Sequence, residues 1–392
     1  MKEGAFIMSG EAKKQYLIAI KDRYRHATKA ERKIILDEFC HVCGYHRKYA
    51  IRLLAVSARG KPKHPPRPSG RPKIYTHREL PDVLGLLWKY ADYPCAKRLH
   101  AIIPIWVPMF SDHFHYRLDP ELQQQLLAIS PATIDRLLAP KRISAAKRRC
   151  STTKPGSLLK EQIPIRTNQW DERRPGYLET DTVAHCGSTT AGMYVLTVNT
   201  VDLATMWSEQ RAIWGKGERG VLDAIKNIEA SLPFPLRGFD CDNGSEFINH
   251  HLLKHFTHRR IPVSYTRSRS YHKNDNAHIE ERNYTRTRQY FGYDRFDQKS
   301  MTAQLNAIYT TEWRDFFNFY VPSMKLQSKE RIGSKIKKRY DTPQTPYQRI
   351  MQSPDMSAAR KKRLTAYKNT LNPFTLHEAM QKKINAFLRL IH

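Results

Sequence analysis

The stretch "LRGFDCDNGSEFIN", residues 236–249, sets two aspartates two positions apart in an otherwise apolar run. Residues 236–242 are short and apolar enough for a buried strand, and "NG" at 243–244 is a tight turn that opens a predicted helix. Side chains two apart on a strand point to the same face, so Asp240 and Asp242 share one face of a sheet. Asp242 stands at the carboxyl end, where α/β sheets place ligand sites. We predict that Asp240 lies deeper and forms hydrogen bonds inside the fold.

Alternating strands and helices surround this stretch. Three predicted strands precede it, at 176–186, 192–202 and 206–214, followed by an amphipathic helix at 217–232. After it come a helix at 245–259, a strand at 261–266, a loop at 267–275 and a long helix at 276–293. Three consecutive strands followed by strand–helix alternation indicate an α/β core over residues 166–320, with five strands of mixed pairing.

The composition of the 392-residue chain indicates a folded, non-membrane protein. Hydrophobic residues make up 40% of it, and no apolar run reaches the roughly 18 residues that suggest a membrane span. The N-terminus lacks the apolar core of a signal peptide. Six scattered cysteines form no disulfide framework, which suits a reducing cytoplasm. We therefore expect a cytoplasmic protein with no membrane partner.

Positive charge is concentrated at the two ends of the chain. The formal net charge is +30, of which residues 1–165 carry +17, residues 166–320 carry +1 and residues 321–392 carry +12. So basic a protein indicates a polyanionic partner such as double-stranded DNA. A nearly neutral centre indicates a core that does more than hold phosphates. The alternative is that the basic arms serve only solubility.

The N-terminal segment, residues 1–57, has the pattern of a helix-turn-helix. Thr28 and Glu31 form a capping box, and Gly44 marks the end of the first helix. A second helix follows the short turn, with Ala50 and its neighbours Leu53 and Leu54 on its inner face. The exposed face presents the candidate DNA contacts Tyr45, Arg47, Lys48 and Arg52.

Two basic linkers and a second helical unit complete the N-terminal arm. Residues 58–78 form a Pro-rich basic linker in which Arg71 is a candidate for a DNA minor groove, and a plain solvated linker is the alternative. Residues 79–140 form a second helical DNA-binding unit. Its last helix is predicted to begin at Ser130 and end at Pro140, exposing Thr133 and Arg136. Residues 141–165 form the second linker, where the candidate phosphate contacts are Lys147, Arg148 and Arg149.

The C-terminal region, residues 321–392, is predicted to be helical and basic. Thr375 and Glu378 give its last helix a capping box of its own.

Carboxylates at three separated places in the core are candidates for a metal site. Phosphodiester transfer uses two divalent cations about 3.5–4 Å apart, and magnesium prefers carboxylate ligands. Asp181 lies in the first strand, Asp242 ends the short buried strand, and Glu280 lies one turn into the long helix. Each has an ordinary structural alternative, as a strand acid, a turn residue or a solvated helix residue. Asp202, at a strand end, is interpreted as a structural cap.

The contexts of these acids are more specific than their spacing. "ETDTV", "CDNGSEF" and "RSYHKNDNAHIEERN" together resemble the Asp-Asp-Glu integrase core of bacterial insertion-sequence transposases and retroviral integrases. The 37 residues between Asp242 and Glu280 are also similar to that superfamily. The resemblance covers about residues 170–300 and implies a ribonuclease-H-like fold.

The resemblance also implies roles for individual residues. Asp181, Asp242 and Glu280 would be the catalytic metal-binding triad for two Mg²⁺ ions, with Mn²⁺ an expected substitute. The "DNA-x-x-E" match selects Glu280 over Glu281. Residues near this helix are candidates for holding DNA, namely Lys273, Asn276, Arg282, Arg286 and Arg288.

The function that follows from the resemblance is a DNA transposase. It would bind the inverted repeats at the element ends, cleave the 3′ ends and join them to target DNA, acting as a homodimer or higher oligomer. The alternatives are a ribonuclease-H-like nuclease or resolvase without strand transfer, and a transposase-derived DNA-binding regulator. Cys40, Cys43 and His46 lack the spacing of a zinc site, and Cys40 and Cys43 are interpreted as buried thiols. No phosphate-binding loop motif is present, so no nucleotide cofactor is expected.

Overall fold

The computed structural model describes residues 8–55, 74–146, 172–241, 246–247, 249–267 and 277–391. The chain divides into two compact units, one ending at Ile74 and the other beginning at Tyr75.

The first unit is a small helical domain with its own core. It contains α1 (Gly10–His26), α2 (Lys29–Cys43) and α3 (Arg47–Leu54). The capping box of Thr28 and Glu31 is confirmed, and Gly44 ends α2 with a left-handed φ of 66°. Phe39 and Ala50 are fully buried between the helices. The two predicted helices and their glycine turn are present, while their role in binding DNA stays a prediction.

A mixed five-stranded sheet forms the centre of the second unit. Its strands are β1 (Tyr177–Ala184), β2 (Val195–Asp202), β3 (Ser208–Trp214), β4 (Gly238–Cys241) and β5 (Ser264–Arg267). The strand order is β3-β2-β1-β4-β5, with β1–β2 and β2–β3 antiparallel and β1–β4 and β4–β5 parallel. The predicted five-stranded mixed sheet is confirmed, and with its flanking helices it fits a ribonuclease-H-like core.

Helices cover both faces of this sheet. On one face, α8 (Glu218–Ser231) and α9 (His250–Thr257) pack over Phe239 and Val198. The described part of α9 starts at His250, five residues later than predicted, because Asn249 caps it by accepting the Leu252 amide hydrogen bond. On the other face lies one continuous helix: α10 (Ala277–Arg282), a π-helical stretch (Asn283–Arg288) and α11 (Gln289–Phe291).

The predicted second helical unit is not separate from the core. Its helices α4 (Leu80–Tyr90), α5 (Ala96–Phe114), α6 (Pro120–Ala128) and α7 (Pro131–Ala146) share one large hydrophobic core with the sheet and the C-terminal helices. Trp106 is fully buried there and donates a 3.2 Å hydrogen bond to the Tyr320 carbonyl. The same core receives α12 (Ser300–Ile308) and two π-helical stretches, Tyr309–Trp313 and Phe316–Tyr320.

The end predicted for α7 at Pro140 is wrong. The helix continues through Pro140 to Ala146. Lys141 forms a 2.8 Å ion pair with Asp82 of α4, and Arg142 reaches Asp135 at 2.5 Å. These ion pairs stabilise the helical turn after Pro140. They compensate for the loss of the backbone hydrogen bond that proline cannot donate.

The C-terminal region is not wholly helical as predicted. Strands β6 (Leu326–Ile332) and β7 (Lys335–Tyr340) form an antiparallel hairpin before α13 (Pro346–Gln352), α14 (Ala358–Lys368) and α15 (Pro373–Leu388). Gly333 adopts a φ of 61° in the two-residue turn, a conformation open to glycine. Helix α15 begins at Pro373 and is capped by Asn372, so the capping box predicted at Thr375 is wrong. None of the helices in the described part of the chain is long and apolar enough to cross a bilayer.

Candidate active site

Asp181 lies in the middle of β1, on the sheet face covered by α10. Leu178 of the same strand packs on the sheet face covered by α8 and α9. Because side chains alternate along a strand, Asp181 points to the opposite face. Its side chain is half-buried. Oδ2 accepts a 2.6 Å hydrogen bond from Asn283 Nδ2, and Oδ1 accepts the Thr182 amide at 2.7 Å. The first predicted acid is therefore joined directly to the helix that carries the third.

A buried polar network holds Asn283 in its orientation. Asn199 of β2 lies opposite Asp181 in the sheet and donates from Nδ2 to Asn283 Oδ1 at 2.5 Å and to Thr287 Oγ1 at 3.1 Å. Gln210 of β3 also donates to Thr287, at 3.3 Å. With its amide oxygen occupied by Asn199, Asn283 presents its amide nitrogen to Asp181. Sequence reasoning missed Asn199 and Asn283, although Asn283 stands one helical turn after Glu280.

Helix α10 is attached to the sheet immediately before Glu280. Ile279 is fully buried against Val201 and Met206, and its backbone N–H donates a 3.1 Å hydrogen bond to Glu179 Oε2 of β1. Glu280 itself is exposed, and so is Glu281. The structure thus places Glu280 on the helix that contacts Asp181, while the choice between Glu280 and Glu281 stays with the sequence resemblance.

Asp242 lies outside the described residues, and β4 is described up to Cys241. Asp240 is buried, lies opposite Glu179 in the parallel register, and accepts a 2.5 Å hydrogen bond from the Thr266 hydroxyl. The predicted internal hydrogen bonding of Asp240 is confirmed. Cys241 pairs in register with Thr180, the residue before Asp181.

Glu246, four residues after Asp242, is a buried acid that sequence reasoning missed. Its Oε1 accepts a 3.1 Å hydrogen bond from the Thr182 hydroxyl. This contact connects the segment that follows β4 to strand β1. The adjacent Phe247 is fully buried, and its carbonyl accepts a hydrogen bond from the Tyr265 hydroxyl. The only sequence signal was the position of this acid within "DNGSEF", and its contact joins that motif to the strand of Asp181.

Asp202 is a structural cap, as predicted. Its carboxylate accepts hydrogen bonds from the Gly176 amide at 2.7 Å, the Thr205 amide at 2.8 Å and the Thr205 hydroxyl at 2.6 Å. Burial raises the pKa of Asp202 to about 6, against the lowering effect of these donors. These hydrogen bonds stabilise the loops at the strand end, which leaves Asp202 outside the candidate site.

The donor chemistry at Asp181 fits a hard divalent cation. Asp181 and Glu280 offer carboxylate oxygens, the ligands that magnesium prefers. Within the described ranges, no group of three or more His, Cys, Asp or Glu side chains could hold a metal ion. Asp242, the third acid of the predicted metal site, lies outside the described residues.

The predicted DNA contacts of the first unit are mostly exposed. Arg47, Lys48 and Arg52 lie on its surface, where Arg47 pairs with Asp37 and Arg52 stacks over the Tyr49 ring. Tyr45 is half-buried because its ring packs edge-on against Phe39.

Three predicted contacts in the second unit are buried, contrary to expectation. Thr133 is 7% exposed because its hydroxyl turns back to the Ser130 cap, 3.1 Å away, although Arg136 beside it is exposed. Arg282 and Arg286 are 2% and 4% exposed. Arg282 is the last residue of α10 and Arg286 lies in the π-helical stretch, where its guanidinium is 3.7 Å from the centre of the Phe317 ring. Arg288 is half-buried and donates to the Ala184 carbonyl at 2.8 Å.

The remaining candidates fall outside the described residues. These are Arg71, Lys147, Arg148, Arg149, Lys273 and Asn276.

Two basic elements of the second unit escaped sequence reasoning. The hairpin of β6 and β7, residues 326–340, carries six Lys or Arg and one Glu. Helix α14 carries Arg360, Lys361, Lys362, Arg363 and Lys368, has no acid and buries no side chain. Their signal in the sequence was the positive charge of residues 321–392, which does not show which elements present it.

Comparison with known proteins places the chain in a family. It is 37% identical over 333 residues to the uncharacterized protein y4rM of Sinorhizobium fredii (strain NBRC 101917 / NGR234), covering 84% of this chain and 93% of that protein. The chain belongs to the same family as y4rM. No protein-family model matches it.

Two solved structures show weak similarity to the chain. The catalytic core domain of BIV integrase is 13% identical, with a TM-score of 0.28, covering 49% of this chain and 97% of that one. A chain of the simian T-cell lymphotropic virus intasome in complex with PP2A regulatory subunit B56 gamma is 13% identical, with a TM-score of 0.34, covering 63% and 75%. TM-scores this low establish no shared fold, so the fold described above rests on strand order and pairing.

Proposed function

We propose that this protein is a DNA transposase whose sheet carries a metal-dependent phosphoryl-transfer site. One observation carries the proposal: Asp181 in the central strand is hydrogen-bonded through Asn283 to the helix that bears Glu280. The two acids are 99 positions apart in the chain, and this hydrogen bond brings the strand of one into contact with the helix of the other.

The register of the sheet supports Asp242 as the third acid. Cys241, where the described part of β4 ends, pairs with Thr180, the residue before Asp181, and Asp242 follows Cys241 in the sequence. The proposal requires the Asp181 and Asp242 carboxylates to lie close together, and carboxylates so arranged repel each other unless a cation balances them.

Each residue of the site would have a separate task. Asp181, Asp242 and Glu280 would hold two divalent cations, which when bound supply charge stabilisation at the attacking and leaving oxygens. Asn283 would keep the Asp181 carboxylate oriented, because the Asn283 side-chain amide is itself held by Asn199. Water would first attack the phosphodiester at the element end and release a 3′ hydroxyl, and that hydroxyl would then attack the target phosphodiester. No protein side chain needs to act as nucleophile.

Double-stranded DNA is the proposed partner. The exposed Arg47, Lys48 and Arg52 of the first unit would recognise the element ends. The β6–β7 hairpin and α14 supply basic surface on the second unit for phosphates. Joining two ends in one reaction requires at least two copies of the active site, so we propose a homodimer or larger assembly on DNA.

Substitution of single acids tests the proposal. Three single variants keep the side-chain size but remove a metal-binding charge, namely Asp181→Asn, Asp242→Asn and Glu280→Gln. Each is expected to lower end cleavage and strand transfer at least about 100-fold. A loss of this size corresponds to about 3 kcal/mol of transition-state stabilisation. The assay uses duplexes carrying the terminal repeats that flank the gene, with Mg²⁺. Asp223→Asn, an exposed acid of α8 on the opposite face of the sheet, is the matched control and should retain activity.

The products separate the alternatives. Cleavage without joining would indicate a nuclease or resolvase, and DNA binding without either reaction would indicate a regulator. Full joining activity by Asp181→Asn in Mg²⁺ would exclude the proposed mechanism.

A further inference from the structure

Four arginines converge in the interior of the second unit. Arg282 and Arg286 come from the helix that carries Glu280, Arg98 from α5 and Arg349 from α13. Arg282 and Arg286 are 2% and 4% exposed, and Arg98 and Arg349 are half-buried. Burying guanidinium groups without compensation is unfavourable, so such a cluster needs an explanation.

Hydrogen bonds to one short segment bring Arg98 and Arg349 together. Arg98 Nε donates to the Pro322 carbonyl at 2.8 Å, and Arg349 Nη2 donates to the carbonyl of the next residue, Ser323, at 3.1 Å. Burial is the main effect that lowers the pKa of Arg282; the charge of Glu281 raises it, and the charges of Arg98 and Arg349 lower it, so both arginines lie within electrostatic reach of Arg282. Arg286 lies four residues after Arg282. Its pKa is lowered first by burial and then by the charges of Arg282 and Arg98.

The cluster contains buried donors that have no partner. Nε and Nη2 of Arg282, Nε of Arg286, Nε of Arg349 and the Ser323 hydroxyl are all buried without a hydrogen bond. A buried donor left unpaired is destabilising, and more so when it is charged. Five such atoms on four residues, three of them arginines of this cluster, indicate a missing acceptor rather than scattered imperfections of packing.

The nearby carboxylates do not supply that acceptor. Asp341 is held by Arg349 at 2.7 Å and by the Lys325 amide at 2.6 Å. Asp92 is held by the Tyr290 hydroxyl at 2.5 Å and lies 3.2 Å from His377. Glu281 is exposed. Water could accept the hydrogen bonds but would leave the positive charge uncompensated.

We propose that Arg98, Arg282, Arg286 and Arg349 form a binding site for an oxyanion of the phosphate class. Guanidinium groups donate in a planar fork that matches phosphate oxygens, and several around one anion supply both charge and hydrogen bonds. The Ser323 hydroxyl would donate to the same ligand. Free phosphate and a DNA phosphodiester share this chemistry, and the burial of Arg282 and Arg286 favours the small free anion. The site shares no residue with the proposed catalytic triad, so it stands or falls independently of the transposase proposal.

Calorimetric titration of the full-length protein with inorganic phosphate tests the site, against sodium chloride at matched ionic strength. We expect one saturable phosphate per chain and at least tenfold weaker binding in Arg98→Gln, which alters a half-buried residue and spares the buried pair. Ser323→Ala should weaken binding by a smaller factor. Arg219→Gln, an exposed arginine of α8, is the charge-matched control and should bind as the wild type does. Circular dichroism verifies that each variant is folded.

A parallel titration with duplex DNA in phosphate-free buffer identifies the source of the anion. Loss of phosphate binding in Arg98→Gln but not in Arg219→Gln supports a free anion. If phosphate does not bind, a tenfold loss of DNA affinity confined to Arg98→Gln assigns the anion to DNA. If wild-type protein binds no phosphate and the two variants bind DNA equally well, the proposal is wrong. Because neither titration measures catalysis, an inactive catalytic triad would not affect the result.

Discussion

His185, the residue after β1, shows how one buried side chain couples stability to pH. Its ring is fully buried, stacks on Phe296 with ring centres 4.3 Å apart, and lies 2.9 Å from the Thr197 hydroxyl. Burial, and then the charge of Arg288, lowers the pKa of His185 to about 3. In the unfolded chain the pKa of a histidine is about 6.5. The unfolded state therefore binds more protons between pH 3 and 6.5, and stability falls as the pH is lowered through this range.

We predict that His185→Phe removes this acid sensitivity while keeping the stack on Phe296. Wild-type unfolding free energy should fall by about 1.4 kcal/mol per pH unit below pH 6.5 from this residue alone, and the variant should lack that contribution. All six tryptophans lie in the second unit, so denaturant unfolding followed by tryptophan fluorescence at pH 7.5 and 5 reports this unit. His258→Gln, at an exposed histidine, should retain the wild-type slope. Equal slopes in His185→Phe and the wild type would contradict the prediction.

At the scale of elements, the β6–β7 hairpin is suited to nucleic acid. Its strands are joined by a two-residue turn at Gly333, and Ile332 and Ile336 are 60% and 52% exposed. A two-stranded hairpin is only marginally stable in water without a packing partner. A two-stranded ribbon also fits the major groove of DNA, and the exposed Arg331, Lys337, Lys338 and Arg339 of this one would complement phosphates.

We predict that replacing Lys337, Lys338 and Arg339 together by glutamine weakens DNA binding and its salt dependence. Each lost phosphate contact should reduce the slope of log affinity against log salt by about 0.9, so the slope should fall by about 2–3. Fluorescence anisotropy over a range of salt concentrations measures both quantities. The control replaces Lys216, Arg219 and Lys226, three exposed basic residues at or near α8, by glutamine. The same loss of slope in both triple variants would show only a nonspecific charge effect.

At the scale of the whole molecule, the proposed recognition and the proposed catalysis fall in different compact units. The first unit packs its own core around Phe39, and the second contains the sheet, the candidate site and the C-terminal helices. If the first unit recognises element ends, its removal should affect sequence preference more than chemistry.

We predict that a chain beginning at Tyr75 folds and keeps Mg²⁺-dependent cleavage of DNA while losing preference for the element ends. Tryptophan fluorescence and circular dichroism measure folding, and competition between end-containing and unrelated duplexes measures preference. The same fragment carrying Asp181→Asn controls for contaminating nuclease. Retained preference for the ends would place recognition in the second unit instead.

Local patterns in the sequence determined the central sheet and the place of its acids. Alternation of apolar residues marks strands, and Thr28 with Glu31 marks a helix start, because both depend on neighbours a few residues away. The placing of Asp181 in β1, the internal bonding of Asp240 and the capping role of Asp202 followed from the same patterns.

Only the tertiary structure decided which surfaces meet. The inward turn of Arg282 and Arg286, the continuation of α7 past Pro140, and the shared core of the 79–140 segment with the C-terminal helices depend on contacts between distant residues. The link from Asn199 through Asn283 to Asp181 depends on β2 and α10 packing at the same strand. Periodicity tells which side of an element is apolar, but long-range packing selects its partner, and that choice decides whether an arginine faces DNA or the interior.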